Sequence, residues 1–243
     1  MRIKEKSISL SQKAKEEIID YIREEGLQPD DALPSELMLM EMLGVSRYIV
    51  REALALIEQD KIIYKIQGKG TFVYKIPMKI EGGLEKLESI KVLTEKSGYK
   101  PGSKWIEISE STPNKDMINK LKVKKNEKII TFKRIKTADN LNAAFCVDTM
   151  KKSVFGDKMP DDAECESMFQ YLKDKFDIEI EYAISEIIPT YPTDEMVKLL
   201  KVDKNQLFLL LNQVHYDKQG NPIIYSMDYY NPKVFRFKVN RTK

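Results

Sequence analysis

Cysteine and histidine are nearly absent from this sequence, with two and one respectively in 243 residues. Each scarcity closes a class of chemistry. Cys146 and Cys165 have neither a CxxC spacing nor a histidine cluster around them, so neither a zinc site nor a disulfide framework is expected. They read as reduced thiols that pack like small apolar side chains. His215 stands alone, with no paired carboxylates, nucleophile motif or metal spacing to make a catalytic constellation, so the expectation is a non-enzyme that needs no cofactor, with His215 in a packing role. Long apolar runs are missing too. Nothing approaches the roughly 20 residues of a membrane-spanning helix, and Met1-Arg2-Ile3-Lys4-Glu5-Lys6 lacks the apolar core of a signal peptide. A cytoplasmic protein without a membrane partner is expected. Finally, 41 basic and 38 acidic residues nearly cancel, which argues against a protein that coats nucleic acid by bulk charge.

What is present suffices for folded cores: 42% of the residues are hydrophobic, too many for a disordered chain. The length exceeds one typical domain of about 100–150 residues, so two domains are expected. The charge is also uneven. Arg47, Arg51, Lys61, Lys65, Lys69 and Lys75 outnumber Glu52, Glu58 and Asp60, whereas Glu16, Glu17, Asp20, Glu24, Glu25, Asp30 and Asp31 crowd the segment before them. A local basic surface on a near-neutral chain suits a small footprint on DNA.

The first 75 residues carry the corresponding pattern. Ser9 or Ser11 can cap a helix with Ala14, Ile18, Tyr21 and Ile22 at helical spacing, ended by Gly26. Ser35 can cap a second, with Leu37, Met40 and Leu43 on one face and Gly44 as its stop. Ser46 follows at once and can cap a third, whose stripe is Val50, Ala53, Leu54 and Ile57. Two short helices joined by a glycine-containing turn make a helix-turn-helix. The third helix presents Ser46, Arg47, Tyr48 and Arg51 at its start, where an arginine fork can bond guanine O6 and N7 together. Ile62-Ile63-Tyr64-Lys65-Ile66 and Thr71-Phe72-Val73-Tyr74 flank Gln67-Gly68-Lys69-Gly70, a hairpin with a basic tip. That tip is not a nucleotide-binding P-loop, because Gly70 follows Lys69 where Ser or Thr is needed and no helix comes next.

With Leu33-Pro34-Ser35-Glu36, Gly44-Val45-Ser46-Arg47, Val50-Arg51-Glu52-Ala53-Leu54 and Gly68-Lys69-Gly70-Thr71-Phe72-Val73 in this order and spacing, residues 10–74 resemble the GntR family of bacterial regulators. The resemblance implies a winged helix-turn-helix that binds double-stranded operator DNA. Its expected contacts are Ser35, Ser46, Arg47, Tyr48, Arg51, Gln67, Gly68 and Lys69. The sequence departs from the family's pattern at Leu37, where an arginine is common, at Tyr48 and Ile49, where threonine is common, and at Lys61, often glycine.

Residues 76–84, with Pro77, Gly82 and Gly83 and no sustained period, read as a linker between a domain at 1–75 and another at 85–243. The second domain mixes strand-like runs, at 105–108, 128–135, 143–147, 207–211 and 223–230, with helical stretches at 167–176 and 193–200. This predicts an α+β fold with a largely antiparallel sheet. Two segments share a theme, Lys122-Val123-Lys124-Lys125-Asn126-Glu127 and Lys201-Val202-Asp203-Lys204-Asn205-Gln206, each leading through a strand to a polar hairpin tip. Two similar halves around one sheet, with a ligand cleft between them, are therefore expected.

From about Leu87 to Lys238, and most strongly at Val214-His215-Tyr216-Asp217 and Tyr229-Tyr230, the sequence is similar to the UTRA domain, the effector-sensing partner of one GntR subfamily, with a chorismate lyase-like fold. The resemblance implies a homodimer and a small polar effector, in that family often a phosphosugar. The contacts it implies are Ile90 and Lys91, Arg134 and Lys136, Ser167 and Phe169 at a helix start, and a late carboxylate and tyrosine, Glu186 and Tyr230. Cys146 and Ile224 stand where the family often has Glu. A ligand-responsive repressor is the leading expectation. A constitutive dimeric DNA-binding protein without an effector and an enzyme of chorismate lyase-like fold are the alternatives.

Overall fold

The structure, a computed structural model, describes residues 9–74, 79–139, 141–156 and 167–241. Lys75, Cys165 and residues 76–78 of the expected linker lie outside the described residues. The chain divides into two compact units, Met1–Met78 and Lys79–Lys243.

The first unit follows its hydrophobic periods. Ser9 caps α1 (Leu10–Glu24) by accepting from the Gln12 amide at 3.2 Å, whereas Ser11 is buried and bonds back to Ser9. In α2 (Glu36–Leu43), Ser35 accepts from the Met38 amide, and Gly44 ends the helix at φ 62, a left-handed conformation that costs glycine little. α3 (Arg47–Gln59) buries Val50, Ala53, Leu54 and Ile57 against Ile18, Ile22 and Leu39. Each of the larger side chains contributes about 1.5–3 kcal/mol on burial. Ser46 occupies the cap position of α3, but its side chain makes no capping bond. β1 (Ile63–Ile66) pairs antiparallel with β2 (Gly70–Val73), and Tyr64 stacks on Phe72. The stretch before α2 is more ordered than a turn. Leu33 donates to the Thr71 carbonyl, and Asp30 and Asp31 exchange backbone bonds with Val73, so this stretch holds β2 on its other side.

The second unit begins with β3 (Ile80–Gly83), within the residues read from sequence as linker. It pairs in parallel with β10 (Phe235–Lys238), and Ile80 is fully buried. Its glycine content reflects packing: a Cβ at Gly82 would sit 2.9 Å from the Phe237 ring. After α4 (Ile90–Lys96) come β4 (Pro101–Ser111), α5 (Lys115–Leu121), β5 (Ile129–Ala138) and β6 (Leu141–Lys151). Then follow α6 (Met168–Phe176), β7 (Tyr182–Thr190), α7 (Asp194–Leu200), β8 (Phe208–Tyr216) and β9 (Pro222–Tyr230). The main sheet has the order β4-β5-β6-β9-β8-β7, antiparallel at every pairing. It is two strand–helix–hairpin halves joined where β6 meets β9. Even the turns repeat, since Lys122 and Lys201 end α5 and α7 at φ 51 and 56. A left-handed lysine costs roughly 1–2 kcal/mol, so both turns accept a strain that glycine would avoid.

The sheet faces differ. On one, Ile129 and Tyr225 pack with Leu121 of α5, and Phe145 and Phe208 with Met196 of α7. On the other, Phe132, Met150 and Ile224 pack with α6, and Ala144 and Tyr230 with the β3–β10 pair and α4. Between these last two clusters the face is polar.

Candidate nucleic-acid interface and effector cavity

At the start of α3, Arg47 and Arg51 lie one turn apart on an exposed face, and both reach Glu36 at the start of α2. Arg47 Nε donates to Glu36 Oε2 at 3.0 Å, and Arg51 Nε to the same oxygen at 2.9 Å. Burial works against ionisation of Glu36, but the two arginines outweigh it and hold the carboxyl below its ordinary range. These bonds use the Nε edge of each guanidinium, and an arginine carries further donors on its terminal nitrogens. Ser35, Ser46 and Tyr48 are exposed around this pair, Tyr48 at 72%, and so is Leu37 at 63%. Gln67, Gly68 and Lys69 are exposed at the tip of the β1–β2 hairpin, where Gly68 has φ 76. Two oriented cations, an uncapped helix start and the exposed Lys69 at the hairpin tip thus make one basic, solvent-facing surface in the first unit.

In the second unit, the polar sheet face floors a cavity of about 460 Å³, within the range for small-molecule sites. Cross-strand register sets its residues in rows. Arg134, Cys146, Asp228 and Leu211 lie side by side in one, and Phe132, Asp148, Ser226, Gln213 and Ser185 in the next. Bonds between rows are diagonal. Buried Arg134 pairs with Asp148, Gln213 Nε2 donates to Asp228 Oδ2 at 2.9 Å, and His215 Nε2 bonds Ser226 Oγ at 2.8 Å. Ser185 donates to Gln213 at 2.7 Å, and Lys136 Nζ to Ser103 at 2.6 Å. Diagonal neighbours on a sheet lie within reach of such long side chains.

Burial dominates the acid–base behaviour. It raises the Asp228 carboxyl to about 7, helped by the nearby charge of Asp148 and opposed by Cys146, Arg134 and Gln213. Burial also lowers His215 to about 4, against the pull of Asp148, so its imidazole is neutral near pH 7. The Cys146 thiol is pushed well above its ordinary value by burial, then by Asp228 and Asp148, and is therefore not a nucleophile. Nδ1 of His215 is buried without a hydrogen-bond partner, on a side chain that lines the cavity.

Of the residues expected at an effector site, Ile90, Lys91, Arg134, Lys136, Ser167, Phe169 and Tyr230 all line this cavity. Ser167 stands at the start of α6 without a capping bond, where a helix N-terminus favours negative charge. Glu186 is outside it. It lies on the α5 side of β7, accepting from Asn212 Nδ2 at 2.9 Å and 3.6 Å from Lys120 Nζ. The one-residue alternation of a strand turns it away. The acidic groups in the lining come from elsewhere: Asp148, Asp228 and, from the flanking segments, Glu85, Glu88 and Glu181. Asp148 and Asp228 were missed by the sequence reading, although a signal existed, since both stand among apolar residues at the same strand parity as Cys146 and Tyr230. His215, expected only to pack, lines the cavity with Phe169 against its ring at 5.2 Å.

A winged helix-turn-helix and a sheet domain with a polar cavity define a DNA-binding transcription regulator that carries an effector domain. Comparison with known proteins agrees. The UTRA domain matches residues 96–236, and bacterial regulatory proteins of the gntR family match residues 10–73. The chain belongs to the GntR-type regulators that carry a UTRA domain. Among its relatives, the HTH-type transcriptional repressor NagR of Bacillus subtilis is 25% identical over 96% of this chain and 95% of that one. The mannosyl-D-glycerate transport/metabolism system repressor MngR of Escherichia coli is 28% identical over 91% and 92%. The crystal structure of PhnF from Mycobacterium smegmatis shares the fold, with TM-score 0.63 at 20% identity over 93% of this chain and 99% of that one.

Proposed function

We propose that this protein is a cytoplasmic, dimeric repressor that releases its operator when a small polar metabolite with an anionic group fills the UTRA cavity. In this reading Arg47 and Arg51 read bases in the major groove. Ser35, Ser46 and Tyr48 approach the flanking backbone, and Gln67, Gly68 and Lys69 carry the wing to the neighbouring groove. A pair of such heads matches a two-fold symmetric operator. The observation that carries the effector assignment is the convergence of Lys91, Arg134, Lys136 and the uncapped start of α6 on one cavity. Cations and free helix amides at one place suit a phosphate or carboxylate. Phe169 and Tyr230 add aromatic surface for the rest of the ligand, for which a sugar phosphate has the right composition. The names of NagR and MngR as repressors support the direction of control. Ile90 contributes wall, and Glu186 is left out of the contact set.

The test is in two parts. Selection of bound genomic fragments by the full-length protein is expected to return sites with inverted half-sites. Sugar phosphates at millimolar concentration are then expected to raise the melting temperature of the protein and to weaken its grip on those fragments. A coupling of about 1–3 kcal/mol corresponds to a roughly 5–150-fold change in operator affinity. A ligand that binds the cavity but leaves operator affinity unchanged would overturn the sensor reading.

A further inference from the structure

Leu37, at the start of α2, is the most exposed of the large aliphatic side chains among the described residues, at 63%. Its surroundings are charged. Glu36, the residue before it, accepts from Arg47 Nε at 3.0 Å and from Arg51 Nε at 2.9 Å, so the first turn of α2 lies against the start of α3. Ser35 fixes the same turn by accepting from the Met38 amide at 3.3 Å. Each helical step turns by about 100°, which points Leu37 outward on the side of Glu36 and sends Met38 and Met42 to the far side. Leu39 faces inward and is buried. A duplex whose bases reach Arg47 and Arg51 therefore also meets Leu37. A leucine has no hydrogen bond to offer there. Against a phosphate or a polar base edge it would displace water without replacing the lost bond, at a net cost. The apolar group that base edges present in the major groove is the thymine 5-methyl.

We propose that Leu37 is a specificity-determining residue of the operator contact, packing on the 5-methyl group of one thymine in each half-site beside the bases that Arg47 and Arg51 bond. The proposal rests on the DNA-reading assignment above and deepens it by naming a base. An arginine fork recognises guanine through O6 and N7, so each half-site combines guanine with a nearby thymine. Cytosine in place of that thymine would set an amino donor and a bare ring edge against the leucine. Glu36 thereby links two kinds of readout, since the carboxylate that aims both arginines also fixes the helical turn from which Leu37 projects. The leucine contact neutralises no phosphate. It adds to discrimination between sequences and leaves the salt dependence of binding unchanged.

The test uses the full-length protein and an operator recovered by selection of bound genomic fragments. Uracil replaces each thymine of that operator in turn, in both half-sites at once, which removes only the 5-methyl group. At one position the change should weaken binding by the unaltered chain roughly 15-fold, about 4-fold for each methyl group uncovered. Leu37→Ala should bind the thymine operator more weakly and be indifferent, within about 2-fold, to uracil at that position, with an unchanged salt slope and unchanged affinity for random DNA. Leu37→Gln, of similar length and helix propensity, should lose the same distinction. A half-site without thymine, or uracil tolerated at every position, overturns the proposal and leaves the arginine contacts standing, which Arg47→Ala reports separately. A uracil effect that persists in both variants also overturns it, because another side chain then holds the methyl group. Failure of either variant to fold by circular dichroism overturns it as well, since an exposed side chain should be replaceable. If no fragment is bound specifically, the DNA-reading assignment falls and takes this proposal with it.

Discussion

Each unit of the protein contains a carboxylate gripping arginine, and the two grips differ in what surrounds them. Glu36 holds Arg47 and Arg51 on an open surface, with the arginine side chains 64% and 59% exposed. Asp148 holds Arg134 under the sheet's cavity, with 8% and 4% exposed. In water the ions are well solvated, so the first grip is worth little to stability, but it fixes where two exposed cations point. In the interior, losing one partner strands the other in a poor solvent. The same chemistry is thus an orienting device in one unit and a structural commitment in the other.

The largest expected effect follows from the buried pair. Arg134→Met keeps much of the side-chain volume but leaves Asp148 uncompensated beside Asp228, and should cost about 3–5 kcal/mol of stability in urea unfolding of the second unit. The double variant Arg134→Met, Asp148→Leu should recover a large part of the loss. No recovery would show that Arg134 is held chiefly by other contacts and that the contrast between the units is overstated.

Next in size is a pH effect in which neighbouring groups oppose each other. The Asp228 carboxyl is raised to about 7 in the folded state from an ordinary 3.8. Between these values the folded state binds more protons than the unfolded, so its contribution to stability falls as pH rises. His215 is lowered to about 4 from 6.5. Between those values the unfolded state binds more protons, so its contribution is lost as pH falls. From pH 4 to 6.5 the two slopes have opposite sign. Relative to the unaltered protein, Asp228→Asn should therefore gain stability progressively as pH rises through this window, on the order of a few kcal/mol at the top. His215→Gln should gain as pH falls. Matching denaturant midpoints at all pH values would mean that water in the cavity solvates both groups.

How much of this could be read in advance differs between the units for the same physical reason. The first unit is specified by local signals: a cap, a helical stripe and a glycine stop act within a few residues, so Ser35, Gly44 and the Val50–Leu54–Ile57 stripe mark its helices directly. The backbone support of β2 by Asp30, Asp31 and Leu33 escaped notice because it joins residues about 40 apart. In the second unit the repeated helix-end, strand and hairpin theme revealed the two halves, but not which strands meet at the seam. Asp148 and Asp228 join one cavity only through the β6–β9 pairing, which sequence proximity does not show. Glu186 was misplaced by a single step of strand alternation. β7 was not anticipated as a strand, since its exposed isoleucines follow no inside–outside pattern.

The smallest expected effects belong to the exposed grip, where function and stability should separate. Arg47→Ala should leave urea unfolding within about 0.5 kcal/mol of the unaltered protein. It should nonetheless weaken specific operator binding by roughly 1–3 kcal/mol, the range for a bidentate arginine–guanine contact. Glu36→Gln is the finer test. It removes a negative charge from the surface proposed to meet phosphate and also loosens both arginines. Binding to random DNA should therefore tighten severalfold, while the preference for operator over random DNA drops by up to about 1 kcal/mol, near fivefold. Both quantities come from one titration series at fixed salt, with operator and scrambled duplexes side by side. An unchanged preference would show that Arg47 and Arg51 find their bases without help, leaving Glu36 as a cap-adjacent charge on α2 and no more.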